Sequence, residues 1–488
     1  MTPRSTPHPP SPFDPGADDV RAIGRAATEW IAGHFAAGRD LPVIPDITPA
    51  RAFALFAEPL PEQPTPWPVL FDRFEREVVP NSFHLPSPRY FGLMNPTPLP
   101  IAVFAEAMAA ALNQNVGAWH HSPAATAVER AVIGWLCDLA GYPTGAFGSL
   151  TPGGSLANTT GLKIALAAKA PETTTRGVWG LAKRPVLYAS AEAHFSIEKS
   201  ANILGLGSAA GVRKVPVDRD SRLDVAALRR MVAEDREAGL APFCVVGIAG
   251  VTSNGVIDPL DAIADAARDL GLWYHVDAAY AAGGLMSDAL RPRFRGVERA
   301  DSITMDPHKW WYMPYPCGAI LTRDGEAGRR AFSSDAVYIP QTDDAVEFRD
   351  HGMAGSRPFN ALKLWMAMQM VGRRGYGRMA EQQVALTERF VAELTKDGDW
   401  EAVTPVDTAI AAVRYTGKRP DGTGGRGSQT DGLQDRIVAR VLASRRNWIS
   451  PTTTVGTRAI RVMVISYLTR WEHLEELIVE LRKAASEL

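Results

Sequence analysis

The sequence predicts an α/β fold, a mostly parallel sheet with helices on both faces, and three observations predict it. Between residues 185 and 321, strand-length apolar runs alternate with segments of helical periodicity, the rhythm of βαβ units. His194, Thr252, Asp277 and Lys309 each follow one of those runs, where the functional loops of parallel sheets gather. The 488 residues, 46% hydrophobic and 22% charged, suffice for two or three domains around a large core. A net charge of -2 gives no basic excess for nucleic acid, and no apolar run is long enough to span a bilayer. The N-terminus is rich in proline and acid, unlike a signal peptide. Cys137, Cys244 and Cys317 lie far apart without CxxC spacing and read as reduced thiols, which points to the cytoplasm.

Residues 1–17 carry many prolines and little that packs. Asp18 and Asp19 open a helix that puts Val20, Ile23, Ala27, Trp30 and Ile31 on one face. A proline-rich link over 59–68 leads to a short helix over 67–79. This segment is too small for its own core and is expected to lie across another surface, such as a second subunit. Residues 86–128 read as lining rather than scaffold. The loops Pro86-Ser-Pro-Arg-Tyr-Phe-Gly92 and Gly117-Ala-Trp-His-His-Ser-Pro123 place Tyr90, Phe91, Trp119 and His120 where rings shape pockets, or where they merely anchor loops. Adjacent histidines point apart, so no metal site is expected at His120 and His121.

A helix over 124–139 comes next, then Leu150-Thr-Pro-Gly-Gly-Ser-Leu-Ala-Asn158, which enters a helix reaching 168. Gly153, Gly154 and Ser155 at that helix start suit an anion, because free N–H groups and the positive dipole end face it. They also suit an ordinary cap. Strands are expected at 186–189, 243–248, 273–276, 302–305 and 319–321, with a helix at 258–270. Pro307 stops the fourth of these strands, leaving His308 and Lys309 on the turn beside Trp310 and Trp311. Desolvation makes a lysine amine nucleophilic, the chemistry of a Schiff-base lysine, although a surface lysine at a strand end fits the same spacing. One ring-shaped ligand reaches all these groups. Its phosphate would lie on the glycine-serine turn, its aldehyde at Lys309, its ring nitrogen at Asp277 and its ring face on His194. Pyridoxal 5′-phosphate has that form. Beyond 365, helices are expected at 366–371, 376–394 and 471–488, strands at 409–414 and 460–465, and a glycine-rich surface loop at 417–432.

Several stretches together resemble the group II pyridoxal-phosphate-dependent amino-acid decarboxylases, of the aromatic-L-amino-acid decarboxylase kind. They are Ser122-Pro-Ala-Ala-Thr126, Gly153-Gly-Ser155, Ala193-His-Phe-Ser196, His275-Val-Asp-Ala-Ala-Tyr280, Asp306-Pro-His-Lys309 and Leu362-Lys-Leu-Trp365. The resemblance runs from about residue 18 to the C-terminus. It implies fold type I, the aspartate-aminotransferase-like architecture. An N-terminal segment (1–92) would pack on a partner subunit, followed by a large cofactor domain (93–365) and a small C-terminal domain (366–488). It implies a homodimer with active sites between subunits. Lys309 would form the Schiff base, Asp277 would hold the pyridine nitrogen protonated, and His194 and Ala279 would lie on opposite ring faces. Thr252 would contact cofactor or substrate, Gly154, Ser155 and Asp306 would serve the phosphate side, and His308 would neighbour both phosphate and Schiff base. Arg461 matches a small-domain arginine of the family, and Gly117 stands where relatives carry a bulkier side chain, leaving room in the substrate pocket.

The implied reaction is loss of carbon dioxide from an L-amino acid with an aromatic or other bulky side chain, through a quinonoid, with release of the amine. Family members use a tyrosine on a mobile loop to return the proton. The corresponding loop spans about 335–357, and alignment on the block after it places Phe348 at the tyrosine's position. A phenylalanine passes no proton, and its presence there is a mark of the aldehyde synthases, which consume dioxygen. The alternative is that Tyr338 is the donor and Phe348 lies elsewhere.

Overall fold

The computed structural model describes residues 16–39, 41–333, 345–417 and 431–488. Two sheets organise it. The larger contains β1 (Phe147–Thr151), β2 (Pro185–Ser190), β3 (Val212–Val215), β4 (Ala241–Ile248), β5 (Trp273–Asp277), β6 (Ser302–Met305) and β7 (Gly318–Thr322), in the order β1-β7-β6-β5-β4-β2-β3. Only β7 runs against the rest, pairing antiparallel with both β1 and β6. Strands β2, β5, β6 and β7 are buried along their whole length, as expected of a sheet covered on both faces.

Alternation along the strands decides what meets what. Leu187, Ala189, Cys244, Val246 and Trp273 share a core with Leu162, Ile164 and Leu166 of the Gly154–Lys169 helix. Their neighbours Val186, Tyr188, Val245, Tyr274 and Val276 face the other way, toward Leu228, Leu260 and Ile263. Period two places His275 and Asp277 on the face of Trp273, under the Gly154–Lys169 helix. Polar residues on a doubly covered strand are exceptions, and these belong to the site described below.

The smaller sheet contains β8 (Trp400–Ala402), β9 (Ile410–Tyr415), β10 (Ser450–Thr454) and β11 (Thr457–Met463), all antiparallel in the order β10-β11-β9-β8. It shares a core with the helices Asp431–Ala443 and Trp471–Ser486. The Ala361–Thr395 helix joins the two halves: Leu364 and Ala367 sit in the large core, Phe390 and Leu394 in the small one. It kinks at Gly372 (φ 68°), inside the break expected between 371 and 376. No described helix is long and apolar enough to cross a membrane.

Two expectations need correction. Residues 86–128 are not all lining, because Pro100–Leu112 is a helix packed against Ala361–Thr395. Strands β1 and β3 lie outside the predicted set. The glycine-rich loop expected at 417–432 falls mostly on residues outside those described.

The segment 345–357 is locked to β1. Phe348 has no exposed surface; its ring stacks on Phe147 with centroids 5.6 Å apart, and the Arg357 guanidinium lies 4.8 Å over it. Arg357 in turn pairs with buried Glu129 and donates to the Leu150 and Val116 carbonyls at 2.9 and 3.1 Å. A hydroxyl added to the Phe348 ring would be desolvated inside this packing. Phe348→Tyr is expected to lower stability by about 1–3 kcal/mol, read as a shifted urea midpoint at constant m-value. An unchanged midpoint would mean that the ring edge is hydrated.

Candidate active site

The carboxyl ends of the parallel strands enclose a cavity of about 400 Å³. Gly153, Gly154 and Ser155 enter it from the helix start, His194, Thr252, Asp277 and Ala279 from the loops after β2, β4 and β5, and Asp306, His308 and Lys309 from the turn after β6. The lysine turn is a hairpin connection, since β6 and β7 are antiparallel neighbours. It is pinned across its base. The His308 N–H donates to the Cys317 carbonyl (3.2 Å), and the Cys317 N–H donates to His308 Nδ1 (3.2 Å). The Trp310 and Trp311 rings are core residues, 3% and 1% exposed, with Trp310 stacked on Tyr280, so they do not form the apolar jacket that their sequence position suggests for Lys309.

Asp277 is 7% exposed, and each of its oxygens accepts one N–H, from Asn158 Nδ2 (2.9 Å) and from Ala279 N (3.1 Å). A chain of bonds orients that asparagine. Trp273 Nε1 donates to Ser302 Oγ (2.9 Å), leaving the Ser302 hydroxyl to donate to His275 Nδ1 (2.8 Å). Nε2 of His275 then carries the ring proton and donates to Asn158 Oδ1 (3.0 Å). Burial pushes the pKa of His275 down, which keeps the ring neutral and the chain directional. The Asn158 amide is left to donate both ways, to Asp277 and to Ser196 Oγ (3.0 Å). Ser196 reaches His194, whose Nδ1 accepts its N–H at 3.3 Å, and burial lowers the His194 pKa as well. The neutral His194 ring therefore carries its proton on Nε2. Asn158, Ser196, His275 and Ser302 had no assigned role in the sequence; the signal available was a histidine and a serine inside otherwise apolar strands.

Lys309 Nζ lies 3.0 Å from Asp306 Oδ2. Burial pushes Asp306 up to about 6, against the pull of Lys309. His308 is pushed down to about 3, by burial and then by Lys309. These residues fit pyridoxal phosphate: a primary amine, a carboxylate with unshared lone pairs facing the cavity, and a helix start at Gly154 where a Cβ would stand 2.5 Å from Asp306 Oδ2 and 3.1 Å from Ala279 Cβ. Tyr315 also lines the cavity, its ring 4.1 Å from that of His308, and the sequence reading missed it.

Other expected site residues do not line this cavity. Phe348 is a core residue, as described, so its assignment over the cofactor is corrected. Tyr90 bonds Asn95 and packs on Trp448 at 4.6 Å, and Phe91 is fully buried in the small-sheet core. Gly117 offers no extra room, because a Cβ there would lie 2.1 Å from the Gly355 carbonyl; the glycine is required by packing. Trp119 and His120 lie on a surface turn, partly and fully exposed. Arg461 is committed to protein groups, donating to the Thr252 carbonyl (2.8 Å), the Gly92 carbonyl (3.1 Å) and Ser450 Oγ (3.1 Å). It ties the small sheet to the cavity loop rather than facing a ligand. Tyr338 lies outside the described residues.

Residues 49–418 match the pyridoxal-dependent decarboxylase conserved domain. Aromatic-L-amino-acid decarboxylase of Bacillus atrophaeus is 29% identical over 476 residues, 97% of this chain and 96% of its own length. Phenylacetaldehyde synthase of Arabidopsis thaliana is 26% identical over 481 residues, 97% of each chain. The crystal structure of Oryza sativa TDC with PLP and tryptamine superposes with a TM-score of 0.90 at 28% identity, covering 98% of this chain and 99% of that one. The match over most of the chain and the cofactor-shaped cavity agree: this chain belongs to the pyridoxal-dependent decarboxylase family and is a pyridoxal-phosphate-dependent enzyme of fold type I.

Proposed function

We propose that the protein decarboxylates an L-amino acid with an aromatic or other bulky, uncharged side chain, releasing carbon dioxide and the amine, and that it does so as a homodimer. The observation that carries this reading is the meeting of Lys309, Asp277 and His194 in one cavity whose only basic wall residue, neutral histidines aside, is Lys309. No arginine lines it to hold an acidic side chain. The relatives named for aromatic amino acids support the same choice.

Pyridoxal phosphate, when bound, supplies an electron-accepting ring that weakens the bonds at the substrate α-carbon. The chain's residues do the rest. Lys309 is the amine that would hold the cofactor. Asp277, kept ionised by its two N–H donors, would keep the ring nitrogen protonated. Neutral His194 would bound the cavity and present its Nε2–H. The oxidative alternative rested on Phe348, and a ring buried against Phe147 is poorly placed to set the product. Tyr338 is the only tyrosine between 334 and 357, and it is our assignment for the group that returns a proton to the α-carbon.

The dimer reading is supported by the N-terminal helices. Ala17–Ala37, Pro49–Leu55 and Trp67–Arg73 bury no residue within this chain. Phe53 is 77% exposed and Leu60 86% exposed. So much apolar surface calls for a second protein surface.

Three outcomes test these statements. Lys309→Ala is expected to abolish turnover and the near-visible absorbance of the bound cofactor, and normal turnover in that variant would end the assignment. With a panel of amino acids, wild type should release amine and carbon dioxide in equal amounts without oxygen uptake, and Tyr338→Phe should slow amine release by about a hundredfold or more and divert product to aldehyde and peroxide. Aldehyde and peroxide from wild type would favour the oxidative reading instead. Sedimentation should give twice the 52.8 kDa chain mass, and Phe53→Asp with Leu70→Asp should shift it toward the monomer; a wild-type monomer at micromolar concentration would refute the dimer.

A further inference from the structure

The start of the Gly154–Lys169 helix already holds an anion of the protein's own. The Gly154 N–H donates to the Asp306 carboxyl, whose Oδ2 lies 2.5 Å from where a Cβ on Gly154 would stand. Oδ2 is also 3.0 Å from Lys309 Nζ and 3.6 Å from His308 Nε2. Oδ1 is buried with no partner, and the side chain is 2% exposed at the cavity wall. A carboxylate thus occupies the donor that a phosphate at this seat needs, with one unsatisfied oxygen beside it.

The surrounding charges make this a conflict. From its own loop Asp306 faces Lys309 and His308, and Tyr315 and Cys317 further along it. Asp277 approaches from the end of β5, and the helix contributes the Gly154 N–H. Burial holds His308, Tyr315 and Cys317 uncharged near pH 7. The Lys309 ammonium is then the only positive side chain among these groups. That amine must become neutral to bond the cofactor aldehyde, so the balancing charge disappears as the phosphate arrives.

We propose that Asp306 is a built-in competitor for the cofactor phosphate, and that seating the phosphate is coupled to protonation of Asp306, which then donates a hydrogen bond to the group it had opposed. The proposal rests on the reading of Gly153–Ser155 as the phosphate seat. The proton comes from the Lys309 ammonium: an N–H bond breaks, an O–H bond forms on Asp306, and the pair stays neutral overall. Burial already raises the Asp306 pKa to about 6, opposed by Lys309, and a dianion beside it raises it further. Below about 6 Asp306 is already neutral and the coupling fades; above it, every phosphate seated requires a proton on Asp306.

The test compares pyridoxal 5′-phosphate with pyridoxal, which lacks the phosphate, binding to full-length protein stripped of cofactor. Calorimetry near pH 8, where the phosphate is a dianion, in buffers of different ionisation enthalpy counts protons exchanged. Wild type should release about one proton fewer with the phosphorylated ligand than with pyridoxal, whereas Asp306→Asn should release the same number with both. The phosphorylated ligand should also gain at least about tenfold over pyridoxal in Asp306→Asn relative to wild type at that pH. Equal proton counts for the two ligands in wild type overturn the proposal, even if the variant does not fold. If the phosphate adds no affinity in either protein at any pH, the seat itself is misplaced and the proposal falls with it. Strong affinity gain with equal counts leaves the seat standing and removes Asp306 from it.

Discussion

A buried carboxylate that must stay charged sets the terms for this site. Asp277 lies at the end of a fully buried strand, where an isolated charge is strongly disfavoured. Oriented dipoles compensate it: the Asn158 amide and the Ala279 N–H. Asn158 could present either end of its amide, and the relay from Trp273 through Ser302 and His275 leaves only the donor end for Asp277. Each member needs the next. Ser302 without Trp273 could rotate, His275 could then change tautomer, and Asn158 could flip. The position of Ser302 opposite His275 in the β5–β6 register is therefore an electrostatic requirement as much as a packing one.

The same requirement fixes which face of the sheet carries the site. Period two puts Trp273, His275 and Asp277 on one side, and the helix covering that side starts at Gly154 and carries Asn158 one turn in. A helix start that suits an anion and a side chain that orients a carboxylate thus belong to one rigid element. The opposite face carries only apolar residues on β5, Tyr274 and Val276, which pack against the Leu260–Leu270 helix.

Much of this was legible in the sequence, and the rest was not for identifiable reasons. The central strands read clearly because burial on both faces makes them continuous apolar runs, and the residues following them converge by topology alone. Strand β3 escaped because Arg213 and Lys214 break its pattern, as suits the sheet edge it occupies. Strand β1, with Gly148 and Ser149 inside it, owes its burial to β7 and to Phe348 rather than to its own composition. The Pro100–Leu112 helix has alanines and large apolar groups on most sides and lacks a polar face to mark its period. The roles of His275 and Ser302 depended on register, which spacing does not give. Phe348 and Gly117 were misassigned because sequence position cannot separate a ring that faces a ligand from one locked in packing, or a glycine that opens space from one that has none.

The lysine hairpin and the aspartate relay differ in how far the chain must travel to close them. The bond between Cys317 and His308 Nδ1 spans nine residues, whereas that from Asn158 to Asp277 spans 119. Loop-closure entropy separates the two by roughly 2 kcal/mol. On a folding pathway the hairpin that carries the covalent anchor is thus the cheaper nucleus, and the charge that activates the cofactor is completed only when the first helix of the large domain docks across the sheet. Newly made chains would pass through a stage in which the amine is displayed but its electrostatic partner is not yet set, a window in which an aldehyde can be captured before it can be used.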